Sequence, residues 1–452
     1  MQITEISVEG LFGIFDHIIP LNIKERITII HSPNGFGKTI MLKMLNGLFN
    51  SKYSIFYKIP FNNFKITLDN NSLINIIKKT ETNESNAKIS IELYKSDSKI
   101  HYWHLKSRKD TNIKRLPISI LDDIVPEIER VDARQWRHIS TGEILSLEAV
   151  MDRFEDFLPS DFLKSPEEPE WLENIKSDTY VRIIESQRLL NLFSSRSSRI
   201  YPSRLRTLPL TTLPTVSAYS EELAQLMQDK FTEYGTISQS LDRSFPLRAI
   251  EQNPPDVNSE QLYYQLNELD KTRSRLIDVG LLNQEETSEF QSPKNMDDSA
   301  KTILSVYIED VEKKLSIFKD IAQKIELLRD IINRKFSYKK INFDKEKGFI
   351  FTRNENEQNS PNGKSLSPTD LSSGEQHELV LLYELLFKVK PNSLVLIDEP
   401  ELSLHVGWQV QFLKDLQEIT KLADIDILIA THSPDIIQDR WDLTVELKGV
   451  EA

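Results

Sequence analysis

Apolar and polar positions change rhythm several times along the chain. Residues 3–9 (ITEISVE) alternate, 14–21 (IFDHIIPL) are rich in β-formers, and 26–31 (RITIIH) form a short apolar run leading into a glycine-containing turn. Three strands are expected there. From Lys38 the apolar positions Ile40, Met41, Met44, Leu45 and Leu48 take helical spacing, so a helix should start at that lysine. Residues 64–69, 88–94 and 100–106 return to the strand pattern between polar loops, which predicts a β-layer beside the first α/β unit.

From about residue 117 to 335 the pattern is mostly helical, interrupted by a strand at 180–184. Leu304, Ile308, Val311, Leu315, Phe318, Ala322, Ile325, Leu328 and Ile332 step by 3 or 4, close to a heptad seam on one long helix. A preceding helix near 258–280 could pair with it as an antiparallel hairpin, giving a short arm; a plain helical bundle fits the same spacing. The last 80 or so residues return to α/β: helix 374–388, strand 393–397, helix 405–420, strand 425–430 and a final strand near 443–447. The expected division is 1–116, 117–338 and 339–452, with one α/β fold built from both ends and the middle inserted.

Composition narrows the classes. There is no cysteine among 452 residues, which removes thiol catalysis, zinc ribbons and disulfides. With 56 basic and 69 acidic side chains the net charge is −13, so any nucleic-acid contact needs a local basic patch. One candidate exists. Between Gln187 and Glu221 no acid occurs, while Arg188, Arg196, Arg199, Arg204 and Arg206 do. This stretch reads either as a solvated loop or as a phosphate-facing patch. The start (MQITEISVEG) lacks a signal-peptide pattern and no run of about 18 apolar residues occurs, so a cytoplasmic protein with no membrane contact is expected.

Chemistry concentrates in four short segments. Ser32, Pro33, Asn34, Gly35, Phe36, Gly37, Lys38 and Thr39 sit between a strand and a helix, as a phosphate-binding loop requires. Glycines let backbone N–H groups turn toward phosphates, Lys38 would reach the β- and γ-phosphates, and Thr39 would offer its hydroxyl to Mg²⁺; Ile40 continues the helix. Ser32 stands where this pattern has its first glycine, which is tolerable if φ stays negative there. The apolar run Leu394–Ile397 ends in Asp398 and Glu399, suited to holding Mg²⁺ through water and to polarising an attacking water. Upstream, Leu371, Ser372, Ser373, Gly374, Glu375 and Gln376 open a helix with residues suited to a γ-phosphate. Downstream, the strand 425–430 leads to His432, at the edge of the same site.

The order of these segments resembles the ATP-binding-cassette class of ATPases, with 32–39 as the Walker A loop, 371–376 as the signature, 394–399 as the Walker B strand, 401–405 (ELSLH) as the D-loop and His432 as the switch histidine. The resemblance covers roughly the first 50 and the last 80 residues. It implies an ABC-type P-loop head with an inserted β-layer and a helical region carrying a short coiled-coil-like arm. It also implies ATP and Mg²⁺ as cofactors, and head-to-tail pairing in which Ser373 and Gly374 of one copy meet the γ-phosphate held by Lys38 of another. A homodimer or higher even-numbered oligomer follows. Gln187 is the candidate for the glutamine that links such a site to its neighbouring lobe and touches the metal. Phe12 and Phe15 are weaker candidates for adenine contact.

The long insertion disfavours a transporter subunit, and DEPELSLH and THSP look like the branch that holds chromosome-maintenance, break-repair and OLD-type ATPases. The arm is short, no Cys-x-x-Cys hook exists, and with 20 residues after His432 no nuclease domain is expected. The chain is then similar to the stand-alone ATPases of bacterial anti-phage systems, the PtuA-like group of Septu and retron defence. That resemblance implies control of a separately encoded HNH-type (PtuB-like) nuclease. A DNA-binding repair clamp, contacting DNA through the Arg188–Arg206 loop, is the alternative.

Overall fold

A computed structural model describes residues 1–79, 88–96, 98–105, 121, 122, 125, 128–139, 141–154, 168–184, 215–251, 258–283, 297–353 and 365–449. The chain forms two compact units, one of residues 1–213 and 384–452, the other of 214–383.

The first unit is built on a parallel sheet of five strands, in the order Val181–Ile184, Leu394–Asp398, Asp426–Thr431, Ile27–His31 and Thr444–Glu446. The three central strands are apolar and buried at nearly every position, as strands covered on both faces must be. Helix Lys38–Phe49 follows the 27–31 strand directly and buries Met41, Met44, Leu45 and Leu48, with Ile40 packed at the margin. Its core is continuous with that of a six-stranded antiparallel sheet, ordered 15–20, 3–11, 63–68, 72–79, 88–95 and 98–105. Strand Asn63–Leu68 alternates buried and half-exposed residues, the pattern of a sheet with one covered face.

Strand Ser72–Lys79 is absent from the expectation above, although Asp69-Asn70-Asn71 signals the hairpin that creates it: Asn71 adopts φ 60° and its N–H bonds Leu68 O at 3.0 Å. A small three-stranded sheet (128–132, 135–138, 144–146) with helix Leu147–Arg153 lies in the stretch read as helical; it closes around the fully buried Trp136. Its strands are three to five residues long, too short to set a period.

The second unit holds helices Thr215–Glu251, Ser259–Asp278, Asp298–Ser316 and Lys319–Lys335, a hairpin Lys339–Asp344/Gly348–Arg353 with the short strand Ser365–Leu366, and helix Ser373–Tyr383. The heptad positions from Val311 to Ile332 are buried as the spacing requires, but on two helices. The ladder breaks at Ile317 and Phe318, where the Ser316 hydroxyl donates to Lys313 O at 2.8 Å and Phe318 turns inward against Tyr234. Helices 215–251 and 298–316 run antiparallel, since Arg248 pairs with Asp310 and Asp242 with Lys314. The 339–353 hairpin was not anticipated. Among the described residues no helix is long and apolar enough to cross a membrane.

Candidate active site

In the first unit the central strands point their carboxyl ends the same way, and three loops leave them side by side. Strand 426–431 lies between 394–398 and 27–31, so the residue after Thr431 falls between those after Asp398 and after His31. His432 takes that place. Its Nδ1 is 3.2 Å from Lys38 Nζ and its Nε2 is 3.5 Å from Glu399 Oε1. A cation, an imidazole and a carboxylate thus stand in a row at the crevice where open α/β sheets bind ligands.

The 32–37 loop is shaped by its glycines. Gly35 and Gly37 both have φ +89°. At Gly37 a side chain is also excluded by space, since a Cβ would lie 2.5 Å from Leu11 Cδ2. Ser32 stays out of the positive-φ region, and its hydroxyl lies 3.2 Å from Lys38 Nζ. Lys38 is 4% exposed, and Nζ also donates to the carbonyls of Ser32 (2.8 Å) and Pro33 (3.2 Å). Burial holds its pKa below the usual lysine value, against the opposing pull of Glu399, Glu401 and Asp398. Asn34 lies at the exposed loop tip, and Phe36 stacks on Phe15 at 5.3 Å.

Thr39, the second helical residue, donates its hydroxyl to Asp398 Oδ1 at 3.0 Å. Two hard oxygen ligands from opposite sides of the crevice therefore meet, which suits Mg²⁺. Glu399 adopts φ 44°, ψ 56°, a left-handed conformation costing a non-glycine residue about 1–2 kcal/mol. Its N–H bonds Ala430 O at 2.9 Å, which anchors the turn that presents the carboxylate to His432. The His432 N–H donates to Glu401 Oε1 at 2.8 Å, while Glu401 Oε2 is buried with no hydrogen-bond partner among the described residues. A buried lysine facing three carboxylates and an orphaned carboxylate oxygen form a site whose charges fit a phosphate chain with its divalent cation.

One supporting residue carries no sequence signal. His17, 3% exposed, donates Nε2–H to Phe36 O at 3.0 Å and so braces the loop from behind; burial pushes its pKa down. Phe15 stacks on His17 and Phe36, and Phe12, at φ 55°, is partly exposed.

Ser372, Ser373, Gly374 and Glu375 lie in the second unit, at the start of helix 373–383. Glu375 Oε2 accepts from the Ser372 N–H (2.7 Å) and hydroxyl (2.9 Å), a capping arrangement at the first turn. The Gln376 amide donates to Leu371 O at 2.8 Å. Gln187 and the arginines from Arg188 to Arg206 lie outside the described residues.

A glycine-shaped loop between strand and helix, beside a strand closing in Asp398 with Glu399 next to it, has the form of a P-loop ATPase site. The chain matches the model of the AAA ATPase domain family over residues 1–437 and belongs to that family. No curated protein matches it. Similar solved structures include the SMC head domain from Thermotoga maritima, 10% identical over 97% of this chain and 92% of that one, with a TM-score of 0.33. A second is the Smc head domain with an extended coiled coil bound to the C-terminal domain of ScpA, derived from Pyrococcus furiosus, 12% identical over 99% and 94%, TM-score 0.33. A third is the Smc head domain with a coiled coil and joint derived from Pyrococcus yayanosii, 12% identical over 96% and 93%, TM-score 0.31.

Proposed function

We propose that the chain binds and hydrolyses ATP as the regulatory subunit of a bacterial anti-phage defence complex, where it scaffolds and controls a separately encoded HNH-type nuclease. The observation that carries the ATPase part is the row Lys38, His432, Glu399 beside the Thr39–Asp398 pair. In this scheme Lys38 leaves the loop carbonyls to bind the β- and γ-phosphates, and the N–H groups of the 35–39 segment turn toward them. Thr39 and Asp398 hold Mg²⁺, which when bound neutralises charge on the phosphate oxygens. Glu399 polarises the attacking water, and His432, touching both Lys38 and Glu399, links phosphate occupancy to the base. Ser373 and Gly374 of a second copy complete the site, so the working form is a homodimer or a higher even-numbered oligomer.

The defence assignment draws support from the DEPELSLH and THSP segments and the short helical arm. The test is a tagged pull-down from the native operon, with and without ATP, weighed by native mass spectrometry. A nuclease-sized partner on an even-numbered ATPase core, tracking ATP, is the expected result. A bare dimer that retains DNA, with a steep salt dependence abolished by replacing Arg188, Arg196, Arg199, Arg204 and Arg206 with Ala, would replace the proposal with a DNA-repair clamp.

A further inference from the structure

We infer that Lys339 is a positioning residue for hydrolysis, acting through Glu375 on the backbone at Ser372–Gly374; this deepens the function proposed above and rests on it. Lys339 opens the strand that follows helix 319–335, some thirty residues before the signature segment and outside every motif. Its Nζ donates to both oxygens of Glu375, at 2.9 and 2.7 Å. Both side chains are mostly covered, at 20% and 15% exposure. Glu375 Oε2 therefore collects three donors: the Lys339 ammonium, the Ser372 N–H and the Ser372 hydroxyl.

Two consequences follow. The Ser372 N–H and O–H are committed to Glu375, so Ser373 and Gly374 present the N–H groups left over at the helix start, where a Cβ on Gly374 would meet nothing within 4 Å. Second, an ionised carboxylate in the first turn of the helix would repel an incoming phosphate, and Lys339 cancels that charge at contact distance. A second ion pair ties the same helix to helix 319–335: Lys335, four residues before Lys339, is paired with Glu378, three residues after Glu375, and both side chains are fully buried. The Lys335–Glu378 pair anchors the helix, whereas the Lys339–Glu375 pair, which keeps some exposure, sets the charge at its tip.

The experiment uses the full chain with Glu399→Gln to hold ATP, and measures ATP-driven self-association by sedimentation and nucleotide affinity with a fluorescent ATP analogue. The turnover number is measured separately with Glu399 intact. Lys339→Ala should weaken self-association and lower turnover about tenfold, with nucleotide affinity of the dilute monomer unchanged. Lys339→Arg should restore both. Because the damage is an unbalanced carboxylate, Lys339→Ala/Glu375→Gln should associate better than Lys339→Ala alone, a recovery that simple loss of packing would not produce. If Lys339→Ala associates and turns over like its parent while Lys38→Ala abolishes nucleotide binding, Lys339 has no positioning role and the ATPase proposal stands. If the Glu399→Gln chain neither binds the analogue nor associates with ATP, the ATPase proposal itself fails, and this inference with it.

Discussion

The loop at 32–37 and the segment at 371–375 both end in the first turn of a helix, yet they are held by different forces. In the first unit the loop is fixed by packing: it leaves a strand buried on both faces, Gly37 lies against Leu11, and Lys38 is buried. In the second unit the segment is fixed by charge: Glu375 gathers Lys339 and both donors of Ser372, and the space at Gly374 stays open. A glycine can therefore serve the chain's own fold, as Gly37 does, or stand clear of the described residues, as Gly374 does. A site built by packing should lose function when its chemistry is removed and lose stability when its space is filled. One built by charge should respond to titration and hardly to added volume.

The largest effect is expected at Glu399. Glu399→Gln keeps the turn and the contact toward His432 but removes the base, so turnover should fall by about 10²–10⁴ while ATP still binds. Single-turnover hydrolysis measured beside equilibrium binding checks this; unchanged turnover would reassign the base. Next comes Lys38→Ala, which removes the buried cation that the proposed scheme turns toward the phosphates. Nucleotide binding should weaken by about 2–5 kcal/mol, read by calorimetry, and the Glu399→Gln/Lys38→Ala chain should no longer trap ATP.

The parts readable in the sequence are those whose physics is local. Lys38, Thr39, Asp398, Glu399 and His432 each lie at or after the end of a short apolar strand, so strand pattern and chemistry point to the carboxyl ends of one sheet. Helix 38–49 and the parallel strands 394–398 and 426–431 share that clarity because burial on both faces leaves unbroken apolar runs. Lys339 was not legible, since it acts only through a partner 36 residues away. Nor was His17, whose role depends on a backbone carbonyl brought over by the fold. The strand at 72–79 is signalled only by the Asn-rich turn before it, and the strands within 128–146 are too short to show a period. The break at 317–318 was invisible because its heptad positions continue across it.

The glycines test the comparison more finely. Gly37→Ala places a Cβ against Leu11 at φ +89° and should destabilise the chain by about 1–3 kcal/mol in urea unfolding. Gly374→Ala meets nothing within 4 Å among the described residues and lies in a helix, so it should leave stability unchanged or raise it by about 0.4–1 kcal/mol. Should Gly374→Ala nonetheless abolish ATP-driven self-association, the space it fills belongs to a partner's nucleotide. Equal destabilisation by both substitutions would erase the distinction between a packed and an open site.

The smallest effect belongs to the charges on Glu375. Burial raises its pKa, but Lys339 and the Ser372 donors outweigh this and hold the carboxyl below its usual 4.5. The unfolded chain then binds the proton first as pH falls. The stabilisation is complete above the ordinary glutamate value and is lost as pH drops through the lower folded-state value. Its size should be about 1 kcal/mol or less, because both side chains keep some contact with water. Urea midpoints of the native chain and of Glu375→Gln should therefore differ at neutral pH and converge below pH 4.5, and Lys339→Ala should flatten most of that convergence. High salt should shrink the same difference, because an exposed flank admits screening ions, whereas the Gly37→Ala penalty, being steric, should not change with salt.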